Sequence, residues 1–214
     1  FTSTGFTIFD NIKHIDQGLI LWRSSIQWIG GLYFLFSIVF LIDIYDESLK
    51  KTLTNFLSFN SSEIFKQSIK LFTFYSFLTI VIFFILNISQ IRTFNSFNLA
   101  LTVISSGGFL PTNNLSLILN TNIKKNIFSL CMLFSFFSLF LFYNLAQYKQ
   151  KSIKFVQEDI YLLFYLISVY IIFLVFADKS INFNELFLSI SSSVSNIGIS
   201  LENTNNNYSF VFLI

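Results

Sequence analysis

Residues 94–109 read Phe94-Asn95-Ser96-Phe97-Asn98-Leu99-Ala100-Leu101-Thr102-Val103-Ile104-Ser105-Ser106-Gly107-Gly108-Phe109. The run 94–105 is apolar but only about a dozen residues long. A helix needs about 20 to cross a hydrocarbon core of roughly 30 Å, and a shorter run reads as a re-entrant half-helix. Small and glycine residues follow it directly. Irregular backbone at membrane depth is tolerated only where it is buried in protein or lines water. A half-helix running into a glycine-centred loop is a way to build a cation filter.

The pattern recurs. Residues 183–195 form a second short apolar run, followed by Ser195-Asn196-Ile197-Gly198-Ile199. The chain opens on a third loop of the same kind, Thr2-Ser3-Thr4-Gly5-Phe6-Thr7. Gly5, Gly107 and Gly198 stand as the central glycines, at intervals of nearly a hundred residues. Polar stretches lie behind them: Asp10-Asn11, then Pro111-Thr112-Asn113-Asn114, then Asn203-Thr204-Asn205-Asn206-Asn207. Repeated membrane units mark transporters and channels.

Long apolar runs at 19–44, 69–88, 123–148 and 160–176 read as spans, and a further run begins at Tyr208. The order span, half-helix, polar loop divides the chain into the end of a first repeat (1–48), a second repeat (49–148) and a third (149–214). Composition agrees: 54% of the residues are hydrophobic and 11% charged, whereas soluble domains carry about a quarter charged. That excludes disorder and a water-covered surface. The expected fold class is an all-α integral membrane protein of repeated span, pore half-helix, filter loop and span. With Phe1 at one end and an apolar run at the other, the chain reads as an internal part of a longer protein.

Net charge is +2, without a basic patch interleaved with aromatics, so nucleic acid is not an expected partner. Lysines and arginines divide almost evenly between the two faces, and the positive-inside rule leaves orientation open. Cys131 lies in an apolar run and reads as a small buried hydrophobe. His14 reads as a solvated interfacial residue, Arg23 as one that snorkels to the interface, and Gln27, one turn further in, as able to reach loop backbone. Gly30 and Gly31 read as close-packing positions on a membrane helix. No catalytic constellation, metal cluster or phosphate loop is present in the sequence, so no enzyme is expected.

The loops carry the chemistry. Backbone carbonyls can replace the water around a cation, glycine reaches φ > 0 without a Cβ clash, and the partly negative C-terminus of a half-helix favours positive charge. None of the loops holds Asp or Glu, which suits a weakly hydrated monovalent ion. The candidate ligands are Ser3, Thr4, Gly5 and Phe6; Ser105, Ser106, Gly107 and Gly108; and Asn196, Ile197, Gly198 and Ile199, mainly through their carbonyls. Two other readings stay open: a secondary transporter with discontinuous helices, and a membrane scaffold in which the loops are turns.

The Thr2–Thr7 loop, the stretch Trp22-Arg23-Ser24-Ser25-Ile26-Gln27-Trp28-Ile29-Gly30-Gly31, and Ser105-Ser106-Gly107-Gly108-Phe109 together resemble the Trk/Ktr potassium uptake family, in its TrkH-type membrane subunits. That family carries Thr-Thr-Thr-Gly, then Arg-x-x-x-Gln-Trp-x-Gly-Gly, then Gly-Gly-Phe. Its third filter, Thr-Ala-Gly-Phe, is replaced here by Asn196-Ile197-Gly198-Ile199. The resemblance implies four repeats around one pore, of which this chain covers filter one to just past filter three. It also implies potassium as the transported ion, no resident cofactor and a multi-pass place in the cell inner membrane. Its implied partners are membrane lipid, a second copy in a homodimer and a cytoplasmic nucleotide-binding regulatory subunit.

Overall fold

A computed structural model describes residues 15–45, 64–112, 114–147 and 183–199, with isolated positions between 160 and 171. Filter one, the connection before residue 64, most of the fourth expected span and the run from Tyr208 lie outside the described residues. The described stretches include the α-helices α1 (Gln17–Tyr45), α2 (Ile64–Ile88), α3 (Thr93–Ile104), α4 (Asn122–Gln147) and α5 (Phe183–Val194). A short 3₁₀ turn, Leu115–Leu117, lies between α3 and α4. No strand occurs among the described residues.

Three helices match the first three expected spans, and α3 and α5 are the expected half-helices, each of 12 residues. At 1.5 Å per residue such a helix is about 18 Å long, roughly half a span of 26 or 29 residues. Ser68–Ile88 within α2 is the one stretch among the described residues long and apolar enough to cross a membrane by itself. In α1, Arg23 and Gln27 interrupt the apolar run.

The packing follows from helical period. On α2, Leu71, Tyr75, Leu78, Ile82 and Leu86 are buried and lie on one face at intervals of three and four residues. The opposite face exposes Ile69, Phe72, Phe77, Ile80, Phe84 and Ile88. An apolar stripe on both faces is what a helix facing protein on one side and lipid on the other requires. In contrast, α3 packs against α1, α2 and α4, and from Asn98 to Ile104 every residue is buried. Ser24, Thr73 and Thr79 return their hydroxyl protons to carbonyls one turn back, at 3.2, 2.8 and 2.8 Å. Those bonds satisfy hydroxyls that would otherwise sit unpaired in an apolar medium.

Candidate ion-filter loops

Both half-helices end in the same backbone device. After Ile104, Ser106 takes φ 49°; its N–H donates to the Val103 carbonyl at 3.4 Å and the Gly107 N–H to that of Thr102 at 3.0 Å. After Val194, Asn196 takes φ 56°; its N–H donates to Ser193 at 3.2 Å and the Ile197 N–H to Ser192 at 3.1 Å. These are two Schellman closures, each reversing the chain at a left-handed residue and satisfying the last helical carbonyls. Hydroxyls complete each closure. Ser105 Oγ donates to Leu101 at 2.8 Å and Ser195 Oγ to Ser191 at 2.7 Å.

A further side-chain bond ties each loop to its own helix. Thr102 Oγ1 donates to the Phe109 carbonyl at 2.8 Å, while Ser192 Oγ accepts from the Ile199 N–H at 2.8 Å. A second left-handed residue follows in both, Gly108 at φ 76° and Gly198 at φ 69°. The two units therefore share one register, in which Ser106 corresponds to Asn196, Gly107 to Ile197, Gly108 to Gly198 and Phe109 to Ile199. This corrects the sequence-based pairing of Gly107 with Gly198 by one position. Residue identity alone matches glycine to glycine, whereas the backbones match at their positive-φ sites.

Helix α1 holds the first of these loops from one side. Gln27, 1% exposed, donates through Nε2 to the Gly107 carbonyl. One turn earlier, the Arg23 guanidinium lies 4.4 Å from the centre of the Phe109 ring, in cation–π geometry. Gly31 lets α1 approach the end of α3, since a Cβ there would come within 2.7 Å of Tyr75 Oη and 3.2 Å of Ser105 Cβ. Trp28 anchors α1 to α2: its indole donates to Thr79 Oγ1 at 2.9 Å, and Tyr75 donates back to the Trp28 carbonyl at 3.3 Å. From α4, Ser135 Oγ donates to the Val103 carbonyl at 3.1 Å. Gly31 and Ser135 both lie well inside their helices, so α3 stops at mid-span.

Gly107 is a glycine for want of room. A Cβ on it would overlap the Gln27 amide, and its φ is not in the left-handed region. With the Gly107 oxygen engaged by Gln27, no backbone N–H among the described residues donates to the carbonyls of Ser105, Ser106 or Gly108. Ser106 and Gly108 are half-buried, while Ser105 and Gly107 are buried.

The loop after α5 repeats that alternation. Ser195, Ile197 and Ile199 are buried, whereas Asn196 and Gly198 are exposed. Ile197 and Ile199 insert their side chains into the common core. A Cβ on Gly198 would meet nothing within 4 Å. Helix α5 lies chiefly against α4, and Lys125 Nζ sits 2.7 Å from Glu185 Oε1, joining the starts of the two helices. Both helices therefore begin on the same side of the fold.

Of the expected site residues, the structure therefore brings Ser105, Ser106, Gly107 and Gly108 into one loop and Asn196, Ile197, Gly198 and Ile199 into its counterpart. Ser3, Thr4, Gly5 and Phe6, and His14 with them, fall outside the described residues. Sequence reading missed Thr102, Ser192, Ser135 and Tyr75. A hydroxyl near the end of each half-helix was a readable signal for the first two. Ser135 and Tyr75 gave none, since their roles depend on which face of a distant helix meets α3 or α1.

No protein-family profile and no curated protein sequence matches the chain. Its structure is similar to the crystal structure of the potassium transporter TrkH from Vibrio parahaemolyticus, with a TM-score of 0.63 over 93% of this chain at 16% identity. The chain spans 42% of the length of that transporter. What a likeness at that identity carries is the fold: two half-helices closing at mid-span among longer helices give this chain the all-helical membrane architecture of which TrkH is a solved example.

Proposed function

We propose that the chain forms part of a pathway for potassium uptake across a cell membrane, with its loops serving as backbone-lined filters. One observation carries the reading: two half-helices of equal length end in the same Schellman closure, and in both loops each of the two left-handed residues is more exposed than the residue before it. Repeating a strained, glycine-requiring loop at mid-span serves no packing need that an ordinary helix would not meet. Loop carbonyls left over just beyond the partly negative end of a half-helix are suited to a cation. The likeness of the fold to a potassium transporter supports the choice of ion.

On this reading Ser105, Ser106, Gly107 and Gly108 line one part of the pathway and Asn196, Ile197, Gly198 and Ile199 another, and the Thr2–Thr7 stretch contributes Ser3, Thr4, Gly5 and Phe6. Potassium is the cargo, driven inward by about 2.3 kcal/mol per elementary charge per 100 mV. The Arg23-to-Gly31 resemblance extends the proposal to a multi-pass inner-membrane protein that pairs as a homodimer and meets a cytoplasmic nucleotide-binding subunit.

Uptake of radioactive rubidium by potassium-starved cells expressing the full-length protein tests the reading. Uptake should rise above that of cells without it, and Gly198→Ala should reduce uptake or its preference over sodium. That variant adds backbone strain without a clash. Wild-type cells indistinguishable from the control would end the reading, and a silent Gly198→Ala would make the loop after α5 a plain turn.

A further inference from the structure

Gln27 is a polar side chain deep among the helices, 1% exposed, and only half of its amide is used. Nε2 donates to the Gly107 carbonyl, in the middle of the first described loop and 80 residues away in sequence. Oε1 is buried without a partner. A buried acceptor lacking a donor is unfavourable, and a glutamine kept there in that state calls for a reason. Its neighbours supply one. Gly107 has no side chain because the amide occupies that space, and Gly31 brings α1 close enough for the amide to arrive. Arg23, on the same face one turn away, stacks on Phe109 two residues further along the loop.

We infer that Gln27 is a positioning residue for ion discrimination: by holding the Gly107 carbonyl, it sets the spacing of the Ser106 and Gly108 carbonyls offered to the ion. The inference rests on the filter reading given above. It differs from plain packing in what it predicts. A packing residue changes how much folded protein there is; a positioning residue changes which ion the folded protein accepts. A carbonyl released from its donor can rotate, and a loop with freer carbonyls distinguishes ions of different radius less well.

The test uses the full-length protein in potassium-starved cells, with rubidium uptake measured in the presence of increasing sodium. Gln27→Met keeps the length and apolar volume of the side chain but removes the donor. Losing one net hydrogen bond corresponds to a discrimination loss of about fivefold, with wild-type amounts of protein in the membrane. Gly107→Ala supplies the second arm. Alone it should lower the amount of folded protein, because its Cβ falls on the Gln27 amide. Combined with Gln27→Ala it should recover folded protein, while discrimination stays as poor as in Gln27→Ala alone. Unchanged discrimination in Gln27→Met, or a double variant no better folded than Gly107→Ala, overturns the inference while wild-type uptake leaves the filter reading standing. Absence of wild-type uptake removes both.

Discussion

The loop after α3 and the loop after α5 have the same backbone and different neighbours. Both reverse at a left-handed residue, both present a second one two positions on, and both are tied back by a hydroxyl on the half-helix. The first is gripped from α1 by Gln27 and Arg23 and from α4 by Ser135. The second places two isoleucines into the core and shows Asn196 and Gly198 at its surface. The comparison separates two reasons for glycine. Gly108 and Gly198 answer to a dihedral angle, Gly107 to a neighbour.

Exchanging the residues at the one position where the loops differ most should have the largest effect. Gly107→Ile puts the second loop's residue where the Gln27 amide lies, and should abolish accumulation of folded protein in the membrane. Ile197→Gly leaves the second loop able to close but empties a buried site. A loss of about 2–5 kcal/mol is expected, read as a lower unfolding temperature of the detergent-solubilised protein. Equal tolerance of both changes would mean that the loops' surroundings do not differ as described.

Gly198→Ala isolates the dihedral. With no atom within 4 Å of the added Cβ, the cost is that of a non-glycine residue at positive φ, about 1–2 kcal/mol. Thermal unfolding followed by tryptophan fluorescence should show a fall smaller than that for Ile197→Gly. A drop as large as that for Ile197→Gly would point to packing at this glycine.

Lys125→Met removes the charge opposite Glu185, and with it a tether that only the second unit has among the described residues. The side chains are 13% and 29% exposed, between the surface and buried limits, so about 1–2 kcal/mol should be lost. Glu185→Gln should cost less, since its amide still offers an oxygen to Lys125. The smallest change concerns the first left-handed residue. Ser106→Asn gives the first loop the residue of the second, and asparagine enters the left-handed region more readily than serine. A slightly raised unfolding temperature should follow; a lowered one would show that Ser106 has a contact the second loop lacks.

The half-helices were legible because everything that stops them is local. Apolar length and the serines at 105 and 195 act within a few residues of the closing backbone bonds, and those bonds span six residues or fewer. The reading of 94–105 and 183–195 as short helices ending in polar loops therefore needed no knowledge of the rest of the chain. The register between the units was not legible in the same way. Two adjacent glycines, Gly107 and Gly108, offered two alignments, and only dihedral angles choose between them.

Sequence by itself determined that this chain is helical, that it belongs in a membrane, and that small-residue loops interrupt it at repeated places, because apolar length and glycine act through the immediate backbone. Tertiary structure decided why each glycine is there and which side chains govern the loops. Gln27 meets Gly107 across 80 residues, and Ser135 meets Val103 across 32. Contacts of that reach depend on the rotation and depth of one helix against another, a property of the packed helices together and of no segment alone.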